Sequence, residues 1–177
     1  MRAAYKDTFR YPVKGHQHVP IVAYARAFFS AAPSWVVALL GLRNKLASYL
    51  GLKASKVPTD RATFLQQCAF EKGDEIGLFR VMEKSMDQII LGQDDQHLDF
   101  RICIQKIKQN EGLVIEMETR VSFHNAFGRL YFLIVKPFHR LIAPRLLKRM
   151  IKAASGDEKT ASRSEHGAAS IDRTKKD

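Results

Sequence analysis

Between residues 75 and 124 apolar side chains recur at every second position, and from residue 127 they recur at helical spacing. A period of two sends successive side chains to opposite faces of a strand, whereas a period near 3.6 stacks them on one face of a helix. The switch restricts the chain to a sheet followed by an amphipathic helix. Segments 76–84, 86–91, 97–107 and 113–124 read as strands. Turn residues Gly92-Gln93-Asp94-Asp95 and Lys108-Gln109-Asn110-Glu111-Gly112 separate them. Turns this short join antiparallel neighbours, which makes the segment a meander.

The last two strands also specify a register. Leu98, Phe100, Ile102 and Ile104 alternate with Asp99, Arg101 and Gln105. On the next strand Ile115, Met117, Thr119, Val121 and Phe123 alternate with Glu116, Glu118, Arg120 and Ser122. A four-residue turn at 109–112 aligns the two apolar faces and sets Arg101 opposite Arg120. Relief of that like-charge pair is expected from the diagonal neighbours Glu118 and Asp99.

After the sheet, Phe127, Leu130, Tyr131, Ile134, Phe138, Leu141, Ile142 and Leu146 predict one long apolar helix face turned to the sheet, with Asn125 as N-cap. Pro137 and Pro144 interrupt the hydrogen-bond ladder, so a kinked helix or two helices nearly in line are expected. Residues 153–177 have no apolar periodicity and read as a disordered tail, leaving 1–152 as the folded domain.

Ahead of the sheet, residues 7–13 read as a strand. Pro20 suits a first helical position, followed by Ile21, Ala25, Phe28 and Phe29 at helical spacing. Trp35, Leu39, Leu42, Leu46 and Leu50 predict a second helix ended by Gly51, and Pro58 lies in a polar connection. Residues 63–70 read as a short strand. The expected fold is therefore α+β: an antiparallel sheet wrapped around a long C-terminal helix, with two short helices after the first strand.

At 177 residues, 46% hydrophobic and 27% charged, the chain suits one ordinary globular domain. Cys68 and Cys103 are too few to staple a secreted fold of this size, and the N-terminus carries no apolar signal segment. A cytoplasmic location is expected. The most apolar stretches, 31–42 and 126–135, fall short of the roughly 20 residues that span a bilayer.

The net charge of +11 lies entirely outside the tail, where five basic residues balance five acidic ones. It is densest at Lys136, Arg140, Arg145, Lys148, Arg149 and Lys152, a run without an acidic residue. A solvated helix face is the plainer explanation; peripheral contact with an anionic membrane is the functional one. Nucleic acid is disfavoured, because no recognition motif or aromatic platform accompanies the charge.

Sheet, early helices and final helix suggest an apolar hollow between them. Its candidate ligand-binding residues are Tyr24, Phe28, Trp35, Phe100, Ile102, Met117, Thr119, Val121, Phe123, Arg129 and Tyr131, and a tightly filled core is the competing expectation. Asp94-Asp95-Gln96-His97-Leu98-Asp99 holds metal-ligand residue types, but a polar turn explains them more simply. His16-Gln17-His18 is a weaker case still. The strand-to-helix junction at His124-Asn125 and Gly128-Arg129 has the makings of an anion site or, more plainly, of a cap. Weak catalytic candidates are His97, Asp99, His124 and His139, the last near the edge of the apolar helix face. No nucleophile triad, phosphate loop, dinucleotide fingerprint or zinc spacing is present, so no cofactor and no metal are expected.

The run Ile89-Ile90-Leu91-Gly92-Gln93-Asp94-Asp95-Gln96-His97-Leu98-Asp99-Phe100-Arg101 resembles one in the bacterial domain-of-unknown-function family DUF2867. So do Thr119-Arg120-Val121, His124-Asn125, Gly128-Arg129-Leu130-Tyr131-Phe132 and Pro137-Phe138-His139-Arg140-Leu141-Ile142. The similarity runs from about Tyr5 to Lys152. That family looks like a branch of the helix-grip (SRPBCC) group, with START-type lipid-transfer proteins and polyketide cyclases. The resemblance implies a hydrophobic cavity and supplies no activity. Three functions are therefore expected in order: binding of a lipid or other hydrophobic small molecule between sheet and C-terminal helix; a cyclase, isomerase or hydrolase using cavity His and Asp residues; and anionic-membrane or partner binding through the basic helix.

Overall fold

In the computed structural model, residues 4–15, 18–31, 61–109 and 112–171 are described, with backbone alone for 61, 62, 64 and 156–171. Strand β1 (Tyr5–Val13) leads to helix α1 (Ile21–Ser30) and, after a gap, to helix α2 (Arg61–Gln67). Strands β2 (Glu75–Ile76), β3 (Phe79–Lys84), β4 (Gln88–Asp94), β5 (Leu98–Gln109) and β6 (Gly112–Phe123) follow, and helix α3 (Ala126–Ile171) ends the chain. The expected second helix at Trp35 to Leu50, with Gly51 and Pro58, lies outside the described residues.

The six strands form one antiparallel sheet in the order β1-β6-β5-β4-β3-β2. The meander is as expected; β1 closes it by pairing along β6, with Tyr5 opposite Val121 and Val13 opposite Leu113. The predicted register also holds: Arg101 faces Arg120 and Gln109 faces Gly112. Its electrostatic relief differs. Arg101 turns to Asp94 on β4, and Arg120 pairs with Glu118 on its own strand.

Three local expectations are corrected. Residues 63–70 are not a strand: α2 occupies most of the segment, and an irregular stretch follows in which Phe70 takes a positive φ of 55°. Arg26 fixes this arrangement, its guanidinium donating to the carbonyls of Leu65 at 2.9 Å and Cys68 at 3.3 Å, where a helix end leaves acceptors open. The strand expected at 76–84 is split by a turn in which Gly77 takes a positive φ of 64°. Gly92 is no turn residue: β4 runs on to Asp94. A Cβ at Gly92 would stand 2.3 Å from the Phe100 carbonyl and 2.7 Å from Arg101 Cδ, so this glycine clears the path by which Arg101 crosses β4 to Asp94.

The core lies between the inner sheet face and the two longer helices. Ile89, Leu91, Ile104, Ile115 and Met117 are buried from the sheet, Tyr24, Ala25 and Phe28 from α1, and Leu146, Leu147 and Met150 from α3. Lys106 also points inward, but its ammonium reaches the Val19 carbonyl at 3.1 Å and Asp87 at 3.2 Å, so the charge is satisfied while the stem packs. On the outer face Glu116 and Glu118 are buried under their own partners. Arg10 meets Glu116, and Lys6 and Arg120 meet Glu118. Burial alone would raise the Glu118 carboxyl; hydrogen bonds from Lys6 and Arg120 outweigh it and hold the group below the usual range.

Helix α3 passes through Pro137 and Pro144 without a break and continues to Ile171, beyond the Lys152 boundary read from periodicity. Its rotation differs from the expected one. The sheet side carries Gly128, Phe132, His139, Ala143 and Leu146, while Phe127, Leu130, Ile134, Phe138 and Leu141 are exposed. Apart from Arg129 the first turns are apolar all round, so periodicity does not choose between the faces. Gly128 does: a Cβ there would lie 2.2 Å from the His97 carbonyl oxygen, so only this edge of the helix can approach the sheet so closely.

Candidate functional site

The motif residues converge at one end of the sheet, where the β4–β5 turn meets the β6–α3 junction. Asn125 caps α3 as expected, its Oδ1 accepting the Gly128 N–H at 3.0 Å. Its amide nitrogen reaches the Gln96 carbonyl at 3.3 Å and His97 Nδ1 at 2.9 Å. The His97 ring lies 4.7 Å from that of Phe127. Next to them His124 Nε2 stands 2.9 Å from Asp99 Oδ2, and the other Asp99 oxygen accepts the Asp95 N–H at 3.3 Å. Asp94 is engaged by Arg101, and no three His, Cys, Asp or Glu side chains converge among the described residues.

His97, Asp99 and His124 thus share one region, while His139 sits elsewhere. The Asp99–His124 pair can exchange a proton, as a carboxylate and imidazole in hydrogen-bond contact do. Asp99 is directly opposite Ser122 and follows the outward parity of β5, so the pair serves the polar face of the sheet. His97 and Asn125 fasten the turn to the helix start.

His139 packs on the inner face against β1 and β6. Its Nε2 is 3.2 Å from Thr119 Oγ1, and its buried Nδ1 lies 3.9 Å from Asp7 Oδ2 without a hydrogen bond. Tyr5 donates to the same Asp7 carboxylate at 2.7 Å, and the Lys136 ammonium lies 5.5 Å from the Tyr5 ring centroid. Burial pushes the His139 imidazole below its ordinary value; Asp7 opposes that shift and Arg140 adds to it. Tyr5 and Asp7 are the members of this cluster that sequence reasoning missed. The signal was the alternation within 5–13, which sets Tyr5, Asp7 and Phe9 on one side; what was lacking was the partner strand.

The candidate ligand-binding residues divide by depth. Tyr24, Phe28, Met117 and Val121 are buried core side chains, and Thr119 is buried in contact with His139. Phe100, Ile102, Phe123 and Tyr131 are half-buried, and Arg129 is exposed. Trp35 lies outside the described residues. Phe100 stands 5.4 Å from Phe79, which stacks edge-on with Phe28 and Phe29, and Phe123 stands 5.4 Å from Phe132. Along β5 the inner face therefore opens from the closed core at Ile104 to part-exposed Ile102 and Phe100, while on β6 it stays closed through Val121 and opens only at Phe123; together these form a part-open aromatic shelf.

A six-stranded antiparallel sheet with a long C-terminal helix on its inner face and short helices after the first strand defines an α+β domain consistent with the helix-grip class. The chain belongs to the family described as "Protein of unknown function (DUF2867)", whose model matches residues 1–146. No curated protein matches it.

Proposed function

We infer that the protein binds a lipid or other hydrophobic small molecule in the cytoplasm, seated on the shelf of Phe100, Ile102, Phe123 and Tyr131 between sheet and α3. The observation that carries this reading is the burial gradient along β5 and β6. The inner face of β5 is closed at Ile104 and part-open at Ile102 and Phe100, and that of β6 stays closed from Met117 through Val121 and opens at Phe123, at the strand's end. Apolar aromatic surface left within reach of solvent is what a ligand of that character covers. A grouping with START-like and polyketide-cyclase-like bacterial proteins agrees with this reading.

The test is native mass spectrometry of the purified protein with solvent extraction, repeated on Ile102→Trp, which fills the shelf. A recurring hydrophobic molecule, lost from a folded Ile102→Trp variant, is the expected result. Equal occupancy in both proteins rejects the shelf as the site. Met117→Trp is unsuited to the purpose, since Met117 is buried and the larger ring would overpack the core. Acid–base catalysis draws support from the Asp99–His124 contact, but the outward parity of Asp99 separates that pair from the apolar shelf.

A further inference from the structure

The N-terminal half of α3 presents to solvent a row of large apolar side chains. Phe127, Leu130, Leu133, Ile134, Phe138 and Leu141 retain between 40% and 66% of their surface. A monomeric protein seldom leaves so long a row of apolar side chains uncovered without a partner for it. The same helix then changes character: Arg145, Lys148, Arg149 and Lys152 are exposed over the next turns, and Arg129 and Arg140 flank the apolar row. No acidic residue occurs between Ala126 and Gly156.

We propose that this face of α3 docks on an anionic lipid surface, Phe127 to Leu141 entering the headgroup boundary and the cations engaging lipid phosphates. Charge complementarity selects this occupant. The exposed row offers apolar side chains flanked and followed by positive charge, and apolar area joined to cations is what draws a helix to an anionic membrane interface. Anionic headgroups attract each nearby Lys or Arg, and the attraction falls with added salt. Among the described residues no helix is long and apolar enough to cross a membrane, so contact through α3 is with the surface. The surface is separate from the shelf and does not depend on it.

The experiment is co-sedimentation of the full chain with phosphatidylcholine vesicles, with and without phosphatidylglycerol. Alongside it, an environment-sensitive fluorophore is attached at Ile134→Cys in a chain whose two native cysteines are replaced by serine. Anionic vesicles should raise partitioning at least about tenfold over neutral ones. Added salt or the Arg145→Glu/Arg149→Glu pair should lower it by a similar factor, and the fluorophore should shift to the blue on vesicle addition. The exposed substitutions Leu130→Gln and Ile134→Gln should weaken binding in a protein whose circular dichroism is unchanged. Three results overturn the proposal. The first is no binding to either vesicle. The second is a fluorophore already blue-shifted in a monomer and indifferent to vesicles, which means that the chain covers this face itself. The third is a stable dimer whose interface holds the fluorophore.

Discussion

The missing Cβ of Gly128 would stand 2.2 Å from the carbonyl oxygen of His97. The obstacle is backbone, which cannot rotate away as a side-chain tip can. Alanine would gain about 1 kcal/mol from helix propensity but meets an overpacking cost that typically reaches 1–3 kcal/mol. Since the clash is with a peptide group, the cost should win: Gly128→Ala is expected to lower Tm, by up to roughly 8 °C. A raised Tm would mean that the His97 turn yields freely.

Loss of the cap at the same junction should act through different bonds. Asn125→Ala removes the acceptor for the Gly128 N–H and frees His97 and Gln96 from their amide partner. A cost of about 1–2 kcal/mol is expected in urea unfolding, in the upper range for an N-cap. Asn125→Asp should retain most of the cap, because the acceptor oxygen survives. If alanine and aspartate behave alike, the cap contributes little.

Acid should weaken the contact between α3 and β1–β6 through His139. Its folded-state pKa lies below the unfolded value of about 6.5. The folded protein thus binds fewer protons there than the unfolded chain. The associated stability is complete above that value and is lost as pH falls from it toward the folded pKa. Melting between pH 5 and 8 should show this decline, and His139→Gln, which can still reach Thr119, should flatten part of it. An identical slope in the variant would remove His139 from the account.

Both cysteines are free, and burial makes each a poor nucleophile in the folded protein. Burial first, and the neighbouring Glu118 second, push the Cys103 thiol up to about 11. Iodoacetamide at pH 8 should alkylate Cys103 at least roughly tenfold more slowly in the native protein than in urea, because the thiolate is the reacting form. Peptide mapping by mass spectrometry reads this directly, and equal rates would contradict it.

The sequence displays some relationships and hides others for identifiable reasons. Arg101 opposite Arg120 was legible because side-chain parity and a short turn determine register without reference to anything else. The carboxylates that relieve the pair were not, since Arg101 is drawn to β4 by the space over Gly92, a contact between strands that alternation does not encode. The rotation of α3 was hidden by a surplus of apolar residues around its first turns. Phe100, Ile102 and Phe123 were legible as members of the inner face, but their part-exposure depends on how far the helices reach along it. The cluster of Tyr5, Asp7 and His139 was illegible because it requires β1 to find β6.

That pairing governs the timing of assembly during synthesis. Thr8 and Glu118, which share a hydrogen bond across β1 and β6, lie 110 positions apart in the chain. Strands β2 to β6 can zip in the order in which they leave the ribosome, each beside the one before it. The first strand made must instead wait for the last, with the loop-closure entropy that slows such pairings. Until it arrives β6 is an open edge, available to a chaperone or to the β1 of a second nascent copy exchanged between chains.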